Sequence, residues 1–218
     1  MATRTPLTRE RVLEAAVALA DRDGLAKLTM RGLAADLGVE AMSLYHHLPA
    51  KQALLDGVVE TLLTEVSAAV AAEDEKDWRA HLRNQFLKAR RVMLRHPWAP
   101  GLISSRTSVP PTVFAYYDGI VATLVRAGFD YHLAHRALHA FGSMPLGFAQ
   151  EIFTVGETGG DSEADMAAMA QALPNITAMV ASEIHNVTDP TLGWCDTQTE
   201  FEFTLDLLLD GLERKRKG

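Results

Sequence analysis

Apolar residues recur along this chain with the spacing of helices from end to end, and no stretch of convincing length alternates with the period of two that a strand requires. Thr8 followed by Val12, Ala15, Ala16 and Leu19 marks an amphipathic helix that ends at Gly24. Leu33, Ala34 and Leu37 share one face of a second helix, and Gly38 supplies the positive φ that closes it without a Cβ clash. Val39 and Leu44 anchor a third, short helix, which Pro49 stops. A longer helix is predicted from Lys51 to about residue 72, with Leu54, Leu55, Val58, Leu62 and Val66 on its apolar side. Trp78, Leu82, Phe86, Ala89 and Met93 predict another, up to His96-Pro97. Residues 100–111 read as irregular, 112–127 as a helix closed by Gly128, and 130–153 as a helix interrupted at Met144-Pro145. A loop at 156–160, one or two helices within 161–185 and a last helix over 196–216 complete an all-α chain.

The second and third helices, joined at Gly38, have the outline of a helix-turn-helix DNA reader. Once Val39 and Leu44 are turned inward, Ala41, Met42, Ser43, Tyr45 and His46 remain on the outer face of the third helix. Those side chains are short or hydrogen-bonding and not a charged, solubilising set, which suits base edges and phosphates. The alternative is a helical hairpin that makes protein contacts only, in a small-molecule-binding protein or an enzyme.

Composition narrows the choice. With 218 residues and 48% hydrophobic content the chain can bury a sizeable core. Residues 1–51 hold seven Lys/Arg against six Asp/Glu, and the remainder fourteen against twenty-two. A net charge of -7 argues against non-specific coating of nucleic acid, while the near-neutral head permits a focused phosphate footprint. The single cysteine, Cys195, allows no intrachain disulfide. The start carries no apolar signal core and no 18-residue uncharged run exists, so a cytoplasmic protein without a membrane partner is expected. No glycine-rich phosphate loop, G-x-S-x-G elbow, H-E-x-x-H or Cys–His motif is present, and neither an enzyme nor a cofactor is expected. His132, His135 and His139 fall on one helix face at metal-compatible spacing, but no Cys joins them, and a polar or interface stripe is the favoured reading. Arg214 to Lys217 read as a solvated helix end.

Residues 7–63 resemble the N-terminal domain of the TetR family of bacterial transcriptional repressors. The resemblance is carried by Asp23-Gly24-Leu25, Leu28-Thr29-Met30-Arg31, Leu33-Ala34, Leu37-Gly38-Val39, Ser43-Leu44-Tyr45-His46-His47-Leu48 and Lys51. Trp78 to Gln85, Gly128-Phe129, Gly142 to Gly147, Glu151 and Phe203 to Glu213 resemble the C-terminal domain of its tetracycline-repressor branch. The resemblance implies a DNA-binding head at 1–51 and an effector-binding and dimerisation domain at 52–218, linked by the helix at 51–72. It implies a homodimer on a palindromic operator, with the helices at 130–153 and 196–214 forming the interface; their apolar residues (Ala134, Ala137, Leu138, Phe141, Phe148; Phe201, Leu205, Leu208, Leu209, Leu212) suit core equally well.

Matching the family's recognition helix, Tyr45, His47 and Lys51 are expected to hold phosphates of double-stranded DNA. Thr29 is expected to do so through its hydroxyl and the helix N-terminus. Arg31, Ala41, Met42, Ser43 and His46 are expected to face bases, Arg31 as the guanine reader. The positions matching Gln85, Leu138, Ser143 and Glu151 contribute to the drug pocket in the tetracycline-repressor branch. Met93, Trp98, Tyr117 and Trp194 are expected to add thioether and ring area. The family's magnesium-binding His falls near Leu102-Ile103, and neither ligates a hard cation. A small, partly aromatic effector other than tetracycline–magnesium is therefore expected, with no metal site.

Overall fold

The computed structural model describes residues 6–71, 77–147 and 197–217, together with positions 168, 171–175, 177 and 178. The expectations placed on Phe148, Glu151, Phe153, the 156–160 loop, Trp194 and Cys195, and most of those on 161–185, lie outside the described residues. The fold is all-α. The chain divides into two compact units, Met1–Ala149 with Leu205–Gly218, and Gln150–Thr204.

Helix α1 (Arg9–Asp23) starts where the Thr8 hydroxyl accepts the Arg11 N–H at 3.2 Å. It ends at Gly24, whose φ of 82° turns the chain out of the helix. After one 3-10 turn (Leu25–Lys27), α2 (Met30–Leu37) repeats the device: the Thr29 hydroxyl accepts the Gly32 N–H at 3.0 Å. Gly38 closes α2 in the left-handed region at φ 64°, with its N–H on the last-turn carbonyls. Helix α3 (Ala41–Tyr45) is barely more than one turn and is held by Leu44, which is completely buried. Val12, Ala16, Leu28, Leu33, Leu44, Leu48, Leu54 and Val58 form one cluster beneath the three helices, so Val39 is only half-buried at its rim.

Helix α4 (Lys51–Ala71) crosses α1 at Gly57, where a Cβ would stand 2.7 Å from a methyl of Leu13. Further along, Leu62 and Val66 leave the head and pack on Ala89, Val92 and Met93 of α5 (Trp78–Arg95). One departure from the sequence reading, and one break that it expected, follow from proline. The stretch 100–111 is not wholly irregular but contains α6 (Ala99–Ser104), which tolerates Pro100 because a first-turn residue needs no N–H partner. After α7 (Pro111–Arg126), the helix begun at the Asp130 cap does not run on as one element. It stops as α8 (Tyr131–Gly142), and α9 (Met144–Gly147) begins anew around Pro145.

Helix α10 (Thr197–Lys217) is tied to α5 by Arg79–Asp210 at 2.5 Å and Arg83–Asp206 at 3.0 Å. Phe86 stacks on Phe141 at 4.9 Å between centroids, joining α5 to α8. Ala134, Ala137, Phe141, Leu205 and Leu209 are buried within the chain's own core, whereas Tyr131, Phe203 and Leu207 are exposed.

Candidate nucleic-acid interface and effector cavity

The residues expected to meet DNA gather on the outer side of α2 and α3 and at the start of α4. Met42 is 69% exposed and Tyr45 41%, large apolar surfaces that no described residue covers. His46, Arg31, Thr29 and Lys51 are exposed, while Ala41, Ser43 and His47 are half-buried. The Thr29 hydroxyl oxygen accepts the Gly32 N–H with one of its two lone pairs, and its O–H can still donate outward. The head's acids are largely engaged elsewhere. Arg22 pairs with Asp23 and Asp36 at 2.9 and 2.7 Å, and Arg9 with Glu60 at 2.6 Å. The Glu10 carboxyl is lowered, first by a backbone hydrogen bond and by Thr8, with weaker attraction from Arg9 and His47. Arg31 and Lys51 have no ion-pair partner among the described residues, so both charges face outward uncompensated.

Beneath the head lies a cavity of about 70 Å³. Its walls are Val59, Leu63 and Val66 of α4, Ala89 and Met93 of α5, Ile103 of α6, Val113, Tyr116 and Tyr117 of α7, and Gly142, Pro145 and Leu146. No charged side chain lines it among the described residues. Gln85 is buried one turn behind and hydrogen-bonds the Tyr116 hydroxyl. Burial nevertheless dominates, pushing the Tyr116 phenol up to about 12.

Of the residues expected at an effector pocket, Met93 and Tyr117 lie in the wall and Gln85 reaches it through Tyr116. Trp98 is turned toward the head, its indole N–H donating to Asp21 at 2.7 Å. Leu138 is half-buried on α8, Ser143 is exposed as the C-cap of that helix, and Glu151 and Trp194 lie outside the described residues. Val59, Leu63, Ile103, Val113 and Tyr116 were not picked out from the sequence as pocket residues. The one available signal was the broad apolar surface of the helix at 51–72, wider than packing on a single neighbour requires.

Polar bonds tie the head and α4 to the helices around the cavity. Arg106 donates to Asp56 at 2.8 Å and to Gln52 at 2.7 Å, and Ser108 donates to the other Asp56 oxygen at 3.1 Å. These three bonds grip the first turns of α4 from the segment between Ile103 and Val113, both of them cavity residues. Asp21 of α1 meets Nδ1 of His96 at 2.7 Å as well as Trp98, and Glu65 of α4 pairs with Arg95.

Three short helices with a left-handed glycine between the second and third, followed by a long helix shared with a helical bundle, define a helix-turn-helix regulator. The chain belongs to the TetR family: residues 12–58 match the bacterial regulatory proteins of the tetR family, and residues 71–216 the tetracyclin repressor-like C-terminal domain. An HTH-type transcriptional regulator of Saccharopolyspora erythraea is 39% identical over 127 residues, 58% of this chain and 53% of that one. The chain thus spans about half the length of that relative. The tetracycline repressor protein class C of Escherichia coli is 29% identical over 211 residues, 96% of this chain and 92% of its own. The crystal structure of a possible TetR family transcriptional regulator from Streptomyces coelicolor A3(2) superposes with a TM-score of 0.70 at 31% identity, covering 94% of this chain and 98% of that one.

Proposed function

We propose that this protein is a ligand-responsive repressor. It binds a palindromic operator as a homodimer and releases it when a small, uncharged, partly aromatic molecule enters the cavity beneath the head. One observation carries the reading: α4 is at once the wall of that cavity, through Val59, Leu63 and Val66, and the support of Lys51 at the DNA face. A volume of about 70 Å³ is well below the ~300 Å³ that a ligand site for a drug-sized molecule requires. An effector therefore enters only by displacing walls, and one of those walls holds the head.

The wall chemistry supports the ligand class. Aliphatic side chains and two tyrosines favour an apolar ring, the Gln85–Tyr116 pair offers one polar anchor, and no described wall residue compensates a buried charge. Magnesium does not fit. Leu102 is buried and Ile103 is part of the cavity wall, so the positions that resemble the family's cation ligand offer no oxygen or nitrogen.

The homodimer rests on geometry and on economy of recognition. Phe203 and Leu207, one turn apart on α10, are exposed in the single chain. One head touches too few base pairs for specificity, whereas two on a two-fold axis read an inverted repeat. The test is operator binding after selection from randomised duplexes. Affinity should fall steeply with salt and be lost when Arg31 and Lys51 are both replaced by Ala. Salt-independent binding, or binding that survives the double change, would refute the reading.

A further inference from the structure

At the start of α5, a recess of about 380 Å³ is lined by Asp77, Trp78 and His81, by Thr123, Arg126 and Ala127 from the end of α7, and by Arg216 near the end of α10. Arg216 is anchored in place: it donates to the Ala127 carbonyl at 2.6 Å, pairs with Glu213 at 2.7 Å and sits 5.5 Å from the centre of the Phe129 ring. Its Nε is buried and has no partner. Arg126 makes one hydrogen bond, to the Thr123 hydroxyl at 3.1 Å, and no carboxylate meets it among the described residues. His81 adds two ring nitrogens that make no hydrogen bond among the described residues.

Asp77, the one acid among the described wall residues, caps α5 through the Ala80 N–H at 2.9 Å. Arg22, Arg79, Arg83, Arg95 and Arg106 are each matched to a carboxylate, as Arg216 is to Glu213. Here Arg126 meets no carboxylate among the described residues, and Arg216, held by Glu213 and the Ala127 carbonyl, lines the same open space beside the His81 imidazole. Guanidinium forks match the spacing of two oxygens on one centre, and the Trp78 ring gives the recess a flat apolar side.

We propose that this recess is a second ligand site, separate from the effector cavity, that binds the oxyanion of a small acid of the carboxylate or phosphate type. Arg126 and Arg216 hold the oxygens, and His81 lies beside them. Such a ligand bridges α5, α7 and α10 and so stabilises the end of the bundle remote from the head.

The experiment is thermal unfolding of the full chain with sodium phosphate, acetate or benzoate, at ionic strength held constant with chloride. At least one of these probes should raise the midpoint saturably. Phosphate alone identifies a phosphate site, benzoate alone an aromatic acid, and mutual competition one site for both. Arg126→Gln, a change at an exposed side chain with a single hydrogen bond, should weaken that response at least tenfold while helicity by circular dichroism is unchanged. Arg126→Lys should retain part of it, and His81→Asn should weaken it several-fold. Wild-type protein that responds to no probe beyond chloride overturns the proposal. An Arg126→Gln variant that titrates like wild type overturns it equally.

Discussion

At the scale of single residues, the chemistry divides between charges left outward and groups held inward. Arg31 stands at the first turn of α2 with no ion-pair partner among the described residues, and its planar fork matches O6 and N7 of a guanine. Arg31→Ala is therefore expected to cost about 1–3 kcal/mol at one base pair per half-site and to relax preference there alone. Selection from a randomised operator checks this, and an unchanged base preference would remove Arg31 from the reading set. Tyr116 is the inward case. Its phenol is raised from the usual 10 to about 12 because burial disfavours the phenolate. The neutral form is thus preferred in the folded chain. Its contribution to stability is fully present below pH 10 and is lost as pH rises through 12. Of the four tyrosines, one should ionise about two pH units late in an ultraviolet titration of the folded protein, and Tyr116→Phe should remove that step. The same variant should lose less stability between pH 10 and 12 than wild type. A late step that is missing in wild type, or that survives in Tyr116→Phe, would contradict the buried hydroxyl.

Among the elements, α4 has the most to do. Its first turns carry Lys51 and are held by Arg106, its middle passes α1 at Gly57, and its far half walls the cavity. The Arg106 side chain is only 9% exposed, so its guanidinium depends on Asp56. Asp56→Asn leaves that charge with Gln52 and a weakened partner. The expected cost is about 1–3 kcal/mol, less than for a fully buried pair because Asp56 is 27% exposed. Chemical denaturation measures this loss. Because the grip joins α4 to the segment between two cavity residues, the variant should also show a smaller effect of any effector on operator binding. Helix boundaries were legible in the sequence wherever the signal is local. Thr8 caps, Gly24, Gly38 and Gly128 turn, and all four do so in the structure. The cavity was legible only in part, because Gln85–Tyr116 and Arg106–Asp56 join residues 31 and 50 apart, and no periodicity encodes which faces of separate helices meet. The same limit explains Leu209. Its helical spacing marked an apolar face of α10 but not whether that face meets the chain's own core or a second copy, and it is fully buried in the core.

For the whole molecule, the proposed dimer and the proposed switch are one mechanical question. An interface in the obligate range, above about 2,000 Å², is expected across the exposed face of α10. Leu207→Arg should therefore give monomers by sedimentation that keep their helicity and lose the operator, whereas a wild-type monomer at micromolar concentration would refute the dimer. Two heads fixed to a dimer core fit adjacent major grooves at one separation, about 34–36 Å, so a tilt of α4 in each protomer changes the fit twice. The effector must enlarge a cavity of about 70 Å³, and α4 is one of the walls that yields. Binding energy that differs between the two tilts is all the switch can draw on, and a coupling of about 1–3 kcal/mol lowers operator affinity 5–150-fold. Thermodynamic reciprocity then requires the operator to weaken effector binding by the same factor. Neutral aromatic compounds that raise the unfolding temperature should be titrated with and without operator, in wild type and in Val59→Trp, where the added ring fills the cavity. The wild-type titrations should close the cycle with equal factors. Val59→Trp should lose the compound, and its operator affinity should already be lowered if filling the cavity is what moves α4. A compound that binds the wild-type cavity and leaves operator affinity unchanged would make the cavity incidental and leave a DNA-binding dimer without this switch.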